Sequence, residues 1–357
     1  MRPFTGTVAV TGLNATDNPG PGVAVIRSLR QDPRFQGRIV GLAYETLDPG
    51  LYYPGLLDAA FLIPYPSTGR EALFSRLAYI KETAGLDVLL PTLDSELPAL
   101  LGQEDRLAAL GIATFLPSRA QFDARAKANL DGLRESFGIP VPKSETLTEL
   151  DALYTLHERF SYPLVVKGVF YGAKVAWSAD QAVAAFHYAA AKWGLPVIVQ
   201  EFVSGEEVNV CALGDGQGGL VGAVAMKKMM ITDSGKGWAG VTIADEGLMQ
   251  LTRAFMAATK WRGACEVEVI RDGQGGYHLL EVNPRFPAWC DLTAGAGQNQ
   301  PLAYVELAQG KAPRPLPDYE VGTAFVRISL DQILHISELE AITAFGEVFA
   351  QNLRRSA

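Results

Sequence analysis

The sequence has 357 residues, enough for two or three packed subdomains. It has 48% apolar and 20% charged residues, as globular proteins do, and its net charge of −8 argues against a nucleic-acid partner, because binding nucleic-acid phosphates needs a basic face. It has no secretory signal pattern and no apolar run near the roughly 18 residues that a membrane span needs, so we expect a cytoplasmic protein without a membrane partner.

The first 115 residues alternate strand and helix patterns. This alternation predicts an open, mostly parallel sheet with helices on both of its faces. The predicted elements are the strands Thr7–Val10, Arg38–Ala43 and Asp87–Leu90, a helix after Gly22 and a helix over Glu71–Glu82.

A loop with Gly20 and Gly22 lies between the first strand and the first helix. Such a loop can bind phosphate at a helix N-terminus. The spacing is not the full G-x-G-x-x-G pattern, which favours a plain turn or part of a site for another substrate.

The pattern changes from about Arg119, and two further units are predicted, over residues 116–203 and 204–357. The first has a helix over Ala120–Phe137, a strand over Tyr162–Lys167, a helix over Asp180–Trp193 and a strand over Val197–Phe202. The second has strands over Glu207–Leu213 and Leu220–Met226, a helix over Gly247–Trp261, a hairpin of Cys265–Ile270 with Tyr277–Val282, a helix over Pro301–Gln309 and a strand over Thr323–Ile328.

The string Glu-Val-Asn-Pro-Arg that begins at Glu281 ends the second strand of that hairpin. Residues two apart in a strand share a face, so Glu281 and Asn283 are predicted to point the same way as Leu279 and Tyr277, while Leu280 and Val282 face a core. A carboxylate and an amide oxygen side by side are hard ligands that suit Mg²⁺.

The preceding strand adds Glu268, with Glu266 on the same face. Across a tight hairpin Glu268 can approach Glu281, and the two carboxylates would repel each other unless a cation lay between them. The guanidinium of Arg285 is then placed to hold phosphate oxygens. Taken alone, the string also fits a solvated acidic hairpin that ends in an Asn-Pro turn.

Lysines occur where a phosphate site would need them. Lys167 ends an apolar strand and is followed by a loop from Gly168 to Gly172 and by Lys174, so the two ammonium groups flank a loop that could fold over phosphates. A lone lysine at a strand end more often reaches into solvent. Lys127 lies in a helix before the string Gly-Ile-Pro-Val-Pro, and by itself is uninformative.

A strand exit at Glu201, Phe202 and Val203 exposes backbone groups that could bind an adenine edge, and Glu207 could bind ribose hydroxyls. For Glu206 and Glu207 an exposed turn is the alternative.

The order of these parts resembles the ATP-grasp superfamily, above all the branch shared by biotin carboxylase, carbamoyl-phosphate synthase and related carboxylate–amine ligases. The resemblance covers about Asp87–Gly310. It implies an α/β pre-ATP-grasp domain over residues 1–115, then an ATP-grasp fold of two α+β subdomains, with the small lid at 116–203 and the large subdomain and tail at 204–357.

The resemblance also implies ATP and Mg²⁺, with Mn²⁺ as an alternative ion. It implies catalytic roles for Arg285 and Lys167. It assigns ATP contacts to Lys127, Lys167, Lys174, Glu201, Phe202, Val203 and Glu207, and metal binding to Glu268, Glu281 and Asn283.

One departure concerns the loop after Lys167. Relatives often have several consecutive glycines there, whereas here Val169, Phe170 and Tyr171 separate the two glycines. Phosphate contact by Lys174 is therefore left open, with shielding of the site from water as the other role for the aromatic pair.

The implied activity is an ADP-forming ligase. A small-molecule carboxylate takes the γ-phosphoryl group, and an amine, such as that of an amino acid or peptide, then displaces phosphate. The alternatives are a bicarbonate-activating carboxylase, against which we weigh the chain end at Ala357, and a non-catalytic nucleotide-binding module. Dimers are common in this branch, so a homodimer is an expectation.

Other residues carry weaker signals. Lys227 and Lys228 could attract an anionic carboxylate or could end a strand in solvent. The segments Ser234–Gly240, Pro287–Trp289 and Thr293–Gly297 are further candidates for substrate contact. Cys211, Cys265 and Cys290 lack the spacing of a zinc site or a disulfide framework and are expected to be buried thiols.

Overall fold

The computed structural model describes residues 3–168 and 172–349. Its strands form a five-stranded, a four-stranded and a six-stranded sheet. They are β1 (Thr7–Val10), β2 (Arg38–Ala43), β3 (Ala59–Leu62), β4 (Val88–Leu90), β5 (Ser144–Leu147), β6 (Leu164–Gly168), β7 (Ala173–Ala176), β8 (Val197–Glu201), β9 (Gly205–Asp215), β10 (Leu220–Ile231), β11 (Gly237–Thr242), β12 (Arg262–Asp272), β13 (Tyr277–Asn283), β14 (Ala324–Val326) and β15 (Glu347–Phe349).

Most helices lie on the faces of these sheets, and in the described ranges no helix is long and apolar enough to cross a bilayer. The α-helices are α1 (Pro21–Arg30), α2 (Arg70–Ala84), α3 (Leu97–Leu100), α4 (Glu104–Ala109), α5 (Arg119–Ala124), α6 (Asp131–Phe137), α7 (Ala179–Trp193), α8 (Glu246–Thr259), α9 (Asp291–Gly295), α10 (Gln300–Ala308) and α11 (Ile336–Phe345). Short 3₁₀ helices cover Pro49–Leu51, Pro66–Thr68, Lys127–Asn129 and Leu150–Glu158.

The first sheet has the strand order β15-β3-β2-β1-β4, with parallel pairing from β3 to β4. Its parallel strands are almost wholly buried and rich in Val, Leu and Ala, as expected where helices cover both faces. Helix α1 begins at Pro21, and α2 ends before Gly85, which has φ +74°. The parallel α/β architecture predicted for this region is confirmed.

The C-terminal segment returns to this first sheet. We expected the tail within the large subdomain, but β15 pairs antiparallel with β3, and Val348 is buried there. The guanidinium of Arg76, on α2, donates to the carbonyl oxygens of Leu62 and Gly346 and holds the tail against β3. Neither β3 nor β15 was predicted.

The second sheet is antiparallel in the order β5-β8-β6-β7, and α7 packs on it. Helix α7 begins at Ser178, whose hydroxyl accepts the backbone N–H of Gln181, and buries Ala182, Ala185 and Phe186. A core of its own supports this unit.

The helix predicted over Ala120–Phe137 is broken into α5, the 3₁₀ turn at Lys127 and α6. Ala126 is extended (φ −57°, ψ 139°), and the side-chain amide of Asn129 donates to the carbonyl of Asp123 at 2.8 Å, which ends α5. Leu133, on α6, packs into the core under the six-stranded sheet rather than under the second sheet. The subdomain limits at 116 and 204 stay a prediction.

The third sheet is antiparallel in the order β13-β12-β9-β10-β11-β14, with α8 on one face. On the other side α10 joins it to the first sheet. Tyr304, on α10, is buried, and its hydroxyl accepts the backbone N–H of Phe115 at 3.1 Å. Strand β11 was not predicted, because its glycines weaken the strand pattern.

A β-bulge changes the faces of the β12–β13 hairpin. Glu268 pairs with Glu281, but Val269 pairs with Leu279, so Leu280 is an extra residue. Leu279 therefore lies in the core with Val282, and the prediction that it shares the face of Glu281 was wrong.

Candidate functional site

Four polar side chains form a group on one face of β12 and β13. In the strand register Glu266 lies opposite Asn283, and Glu268 lies opposite Glu281, as the hairpin predicted. The amide of Asn283 donates to Glu268 at 2.8 Å and to Glu266 at 3.2 Å. Two glutamates and an asparagine proposed for metal binding are thus brought together.

Glu268 is held in an environment that disfavours its charge. Burial, followed by the nearby charge of Glu266, raises its pKa to about 8, and Glu281 acts in the same direction while Lys228 opposes it. A divalent cation at this position would relieve that repulsion. Within residues 3–168 and 172–349, no three His, Cys, Asp or Glu side chains form a metal-binding cluster. The side chains that could offer oxygen ligands here are two carboxylates, Glu268 and Glu281, and the amide of Asn283. That small set suits Mg²⁺, which keeps several waters and takes phosphate oxygens as ligands.

Arg285 lies beside this group, and its side chain is 18% exposed. Its Nη1 donates to Glu266 at 3.0 Å, and its Nε is 3.7 Å from an oxygen of Asp94. Burial alone would lower the pKa of Arg285, but Asp94 and Glu266 outweigh it and hold that pKa above its usual value.

Glu266 holds the guanidinium of Arg285 in place. Besides Arg285 and Asn283 it accepts the indole N–H of Trp289 at 2.7 Å and the amide of Asn209 at 3.3 Å. Because these donors occupy its oxygens, Glu266 serves to position Arg285. Asn209 was not among the predicted site residues, and Trp289 was predicted only as part of a candidate segment.

Two lysines approach the carboxylates from the other side. Lys127 Nζ is 3.4 Å from Glu281. Burial, followed by the charge of Lys127, lowers the pKa of Lys167 to about 8, although Glu281 and Glu268 act against this shift. Two ammonium groups next to a carboxylate pair could attract an anion that brings its own cation.

The register of β10 separates the two adjacent lysines. Lys228 forms an ion pair with Glu207 and lies 4.0 Å from Glu268, so it belongs to the site. Lys227 instead pairs with Glu206, which also binds Arg271. Glu207, predicted to bind ribose, is thus held by a lysine.

The other predicted nucleotide residues lie at the rim of the second sheet. Lys174 is not among the lysines near Glu268: its ammonium lies 3.7 Å from the ring centroid of Tyr188. Glu201 ends β8, and the ring of Phe202 lies 6.0 Å from that of Trp177. The proposed shielding role of Phe170 and Tyr171 lies outside the described residues.

The glycine loop before α1 uses its backbone donors internally. The N–H of Gly20 donates to the carbonyl of Asn14 at 2.6 Å, and that of Gly22 donates to Gly12 at 3.0 Å. A Cβ on Gly22 would lie 1.9 Å from the carbonyl oxygen of Thr11. These contacts favour a tight turn over a phosphate site. In the same loop Asp17 binds Ser234, in the β10–β11 turn.

Comparison with known proteins agrees with this arrangement. Residues 195–328 match a family model described as ATP-grasp in the biosynthetic pathway with Ter operon. This part of the chain therefore has an ATP-grasp sequence signature. The matched residues include the strands that carry Glu268, Glu281 and Asn283.

Relatives among characterised proteins are ATP-grasp ligases. Phosphoribosylamine–glycine ligase of Synechocystis is 35% identical over 34% of this chain, and D-alanine–D-alanine ligase B of Pseudomonas putida is 26% identical over 68% of it. The matched stretch spans 30% of the first relative and 87% of the second. A Nostoc counterpart of the first is also covered only to 51%.

Solved structures show the same ATP-grasp fold. Biotin carboxylase from Campylobacter jejuni matches with a TM-score of 0.67 at 18% identity, covering 86% of this chain and 71% of that one. At this identity the likeness shows the fold alone. It confirms the predicted combination of a parallel sheet with antiparallel sheets.

Proposed function

We propose that this protein is an ATP- and Mg²⁺-dependent ligase that joins a carboxylate to an amine through an acyl phosphate and releases ADP and phosphate. One observation carries the proposal: Glu268 and Glu281 face each other, with Asn283 beside them, between Arg285 and the lysines 127 and 167. The relatives that cover much of the chain are named as ligases, which supports the same reaction class.

The carboxylate pair and Asn283 would hold Mg²⁺. The test of fit is the raised pKa of Glu268, because a buried carboxylate crowded by other carboxylates gains most from a bound cation. When bound, Mg²⁺ would neutralise charge on the transferring phosphoryl group. Mn²⁺, which also prefers oxygen ligands, is the alternative ion.

The remaining residues would bind and orient ATP. Lys127 and Lys167 would contact its phosphates, and the strand exit from Glu201 to Val203 would hold the adenine. For Glu207 to bind ribose, it would have to break its ion pair with Lys228 or bind the sugar while keeping that ion pair. Lys174 would join only if the second sheet moved, since it now packs on Tyr188.

In the first step an oxygen of the substrate carboxylate attacks the γ-phosphorus, and ADP leaves. Arg285 would steady the oxygens of the transferred phosphoryl group, since it is fixed by Glu266, which is held in turn by the indole N–H of Trp289. In the second step the amine attacks the acyl carbon, and phosphate departs with the electron pair of the broken C–O bond. No nucleophilic side chain is required.

The test is ADP release with ATP and Mg²⁺ across amino acids and small carboxylates, added singly and in pairs, with a bicarbonate arm. Stimulation that needs a pair and yields a product lighter by one water would establish the ligase. Stimulation by bicarbonate alone would establish a carboxylase instead. ATP binding without stimulation by any member would count against both enzymes and favour a nucleotide-binding module.

A further inference from the structure

Asp94 is a partly exposed carboxylate at the end of the first sheet, and it faces Arg285, the residue proposed to hold the transferred phosphoryl group. It follows β4 by four residues, at the edge of the parallel sheet where the carboxyl ends of the strands meet. Its Oδ1 is buried and has no hydrogen-bond partner among the described residues, and it lies 3.7 Å from Nε of Arg285. The side chain as a whole keeps 22% of its surface exposed, so a small molecule can reach it.

The loop that carries Asp94 is fixed by a second carboxylate. Glu96 is 3% exposed; its Oε2 accepts the Thr11 hydroxyl at 2.7 Å and the N–H of Leu93 at 3.3 Å, and its Oε1 accepts the Tyr44 hydroxyl at 2.8 Å. These donors come from the ends of β1 and β2 and from the loop itself. Asp94 is therefore held at a set distance from Arg285.

The negative charges of Asp94 and Glu266 are not balanced by Arg285 alone. Arg285 already forms a hydrogen-bonded ion pair with Glu266 at 3.0 Å, so one guanidinium serves two carboxylates. The longer contact to Asp94 has no hydrogen bond, and a buried carboxylate oxygen without a donor costs free energy. A cationic N–H donor from a substrate would satisfy it.

We propose that Asp94 binds the ammonium group of the acceptor amine and takes one of its protons as the amide forms. This inference rests on the proposed ligase function. Because Arg285 would hold the acyl phosphate, a donor bound at Asp94 sits next to the carbon that it must attack. Asp94 would thereby select amines that arrive charged.

The step balances in atoms and charge. The amine nitrogen forms the new C–N bond, the C–O bond to phosphate breaks, and phosphate takes that electron pair. Of the three ammonium protons one stays on the amide, one leaves with the phosphate, and one passes through Asp94 to water.

Hydroxylamine separates the two steps, because it is mostly uncharged at neutral pH and can trap an acyl phosphate as a hydroxamate without needing a carboxylate to hold it. The experiment supplies each common amino acid and each small carboxylate of the ADP-release panel as the carboxylate, with either hydroxylamine or a charged amine (ammonium chloride, methylamine or a second amino acid) as the acceptor. Hydroxamate and amide are then measured for the wild type, Asp94→Asn, Asp94→Ser and the exposed control Asp105→Asn.

With Asp94→Asn and Asp94→Ser we expect hydroxamate formation within about twofold of the wild type and amide formation reduced roughly 100-fold or more. The Asp105→Asn control should keep both activities. Equal loss of both products in a folded variant would mean that Asp94 acts by supporting Arg285, and this would overturn the inference. Retention of both products by the variants, or a wild type that uses no charged amine, would overturn it as well. A wild type that makes no hydroxamate with any amino acid or small carboxylate supplied would overturn the proposed function itself, and the inference with it.

Discussion

Glu268 lies directly opposite Glu281 across β12 and β13, so two carboxylates face each other beneath a pair of lysines. Strands seldom place like charges in this way, because they destabilise the pair. The arrangement makes sense if the folded protein is built to receive a cation, and that idea can be tested by substitution.

Replacing Glu281 with Gln should reduce ATP turnover at least about 100-fold, because one metal oxygen and its charge are lost. The unfolding temperature should change little, since Glu281 is partly exposed and its ion pair with Lys127 is at 3.4 Å. The control is Glu246→Gln, which removes an exposed glutamate paired with Arg253. Near-normal turnover by Glu281→Gln would remove the hairpin from the mechanism.

Stability without metal should depend on the protonation of Glu268. Its pKa is raised from 4.5 to about 8, so the folded protein binds more protons than the unfolded chain between these values, and the free energy of unfolding should fall as pH rises through this window. Thermal unfolding in the presence of a chelator measures this slope.

Glu268→Gln should flatten the slope, and Mg²⁺ should restore stability to the wild type at the upper end of the window. An unchanged slope in Glu268→Gln would show that another group is responsible.

Replacing Lys167 with Met should weaken ATP binding by more than about tenfold, because loss of a desolvated charge contact costs about 2 kcal/mol or more. Calorimetric titration of ATP measures this effect. Lys174→Met is the matched comparison, since that ammonium packs on Tyr188. An equal effect of both substitutions would indicate that the second sheet closes over the nucleotide and brings Lys174 to it.

Gly22→Ala should destabilise the fold by about 2 kcal/mol or more, because its Cβ would meet the carbonyl oxygen of Thr11 at 1.9 Å. A Cβ on Gly132, in α6, would instead meet open space within 4 Å, so Gly132→Ala should be neutral or stabilise by about 0.5 kcal/mol. Urea unfolding of both variants measures the difference. A tolerated Gly22→Ala would mean that the loop can move away from β1.

Local sequence patterns predicted the elements that carry the site. The ranges of β1 and β2 agree with the prediction, and the hairpin of β12 and β13 brings Glu268 to Glu281 as expected. These elements have strong apolar patterns, and their side-chain placement follows from the two-residue period of a strand.

Long-range features could not be predicted in the same way. The bulge at Leu280 has no local signal, yet it moves Leu279 to the other face. Sequence alone could not choose between Lys227 and Lys228, because the register of β10 decides which one reaches Glu268. Asp94 was missed for a related reason. Its proposed role depends on contact with Arg285, which is distant in the chain, although the position of Asp94 after a parallel strand was a usable signal.

The pairing of β15 with β3 has a consequence for biosynthesis. As the chain leaves the ribosome, the outer edge of β3 stays unpaired until residues 347–349 have been made. An open strand edge is a template for association with other chains, so the nascent protein is exposed to aggregation until β15 emerges. The first sheet therefore depends for the protection of this edge on a strand that is made after both antiparallel sheets.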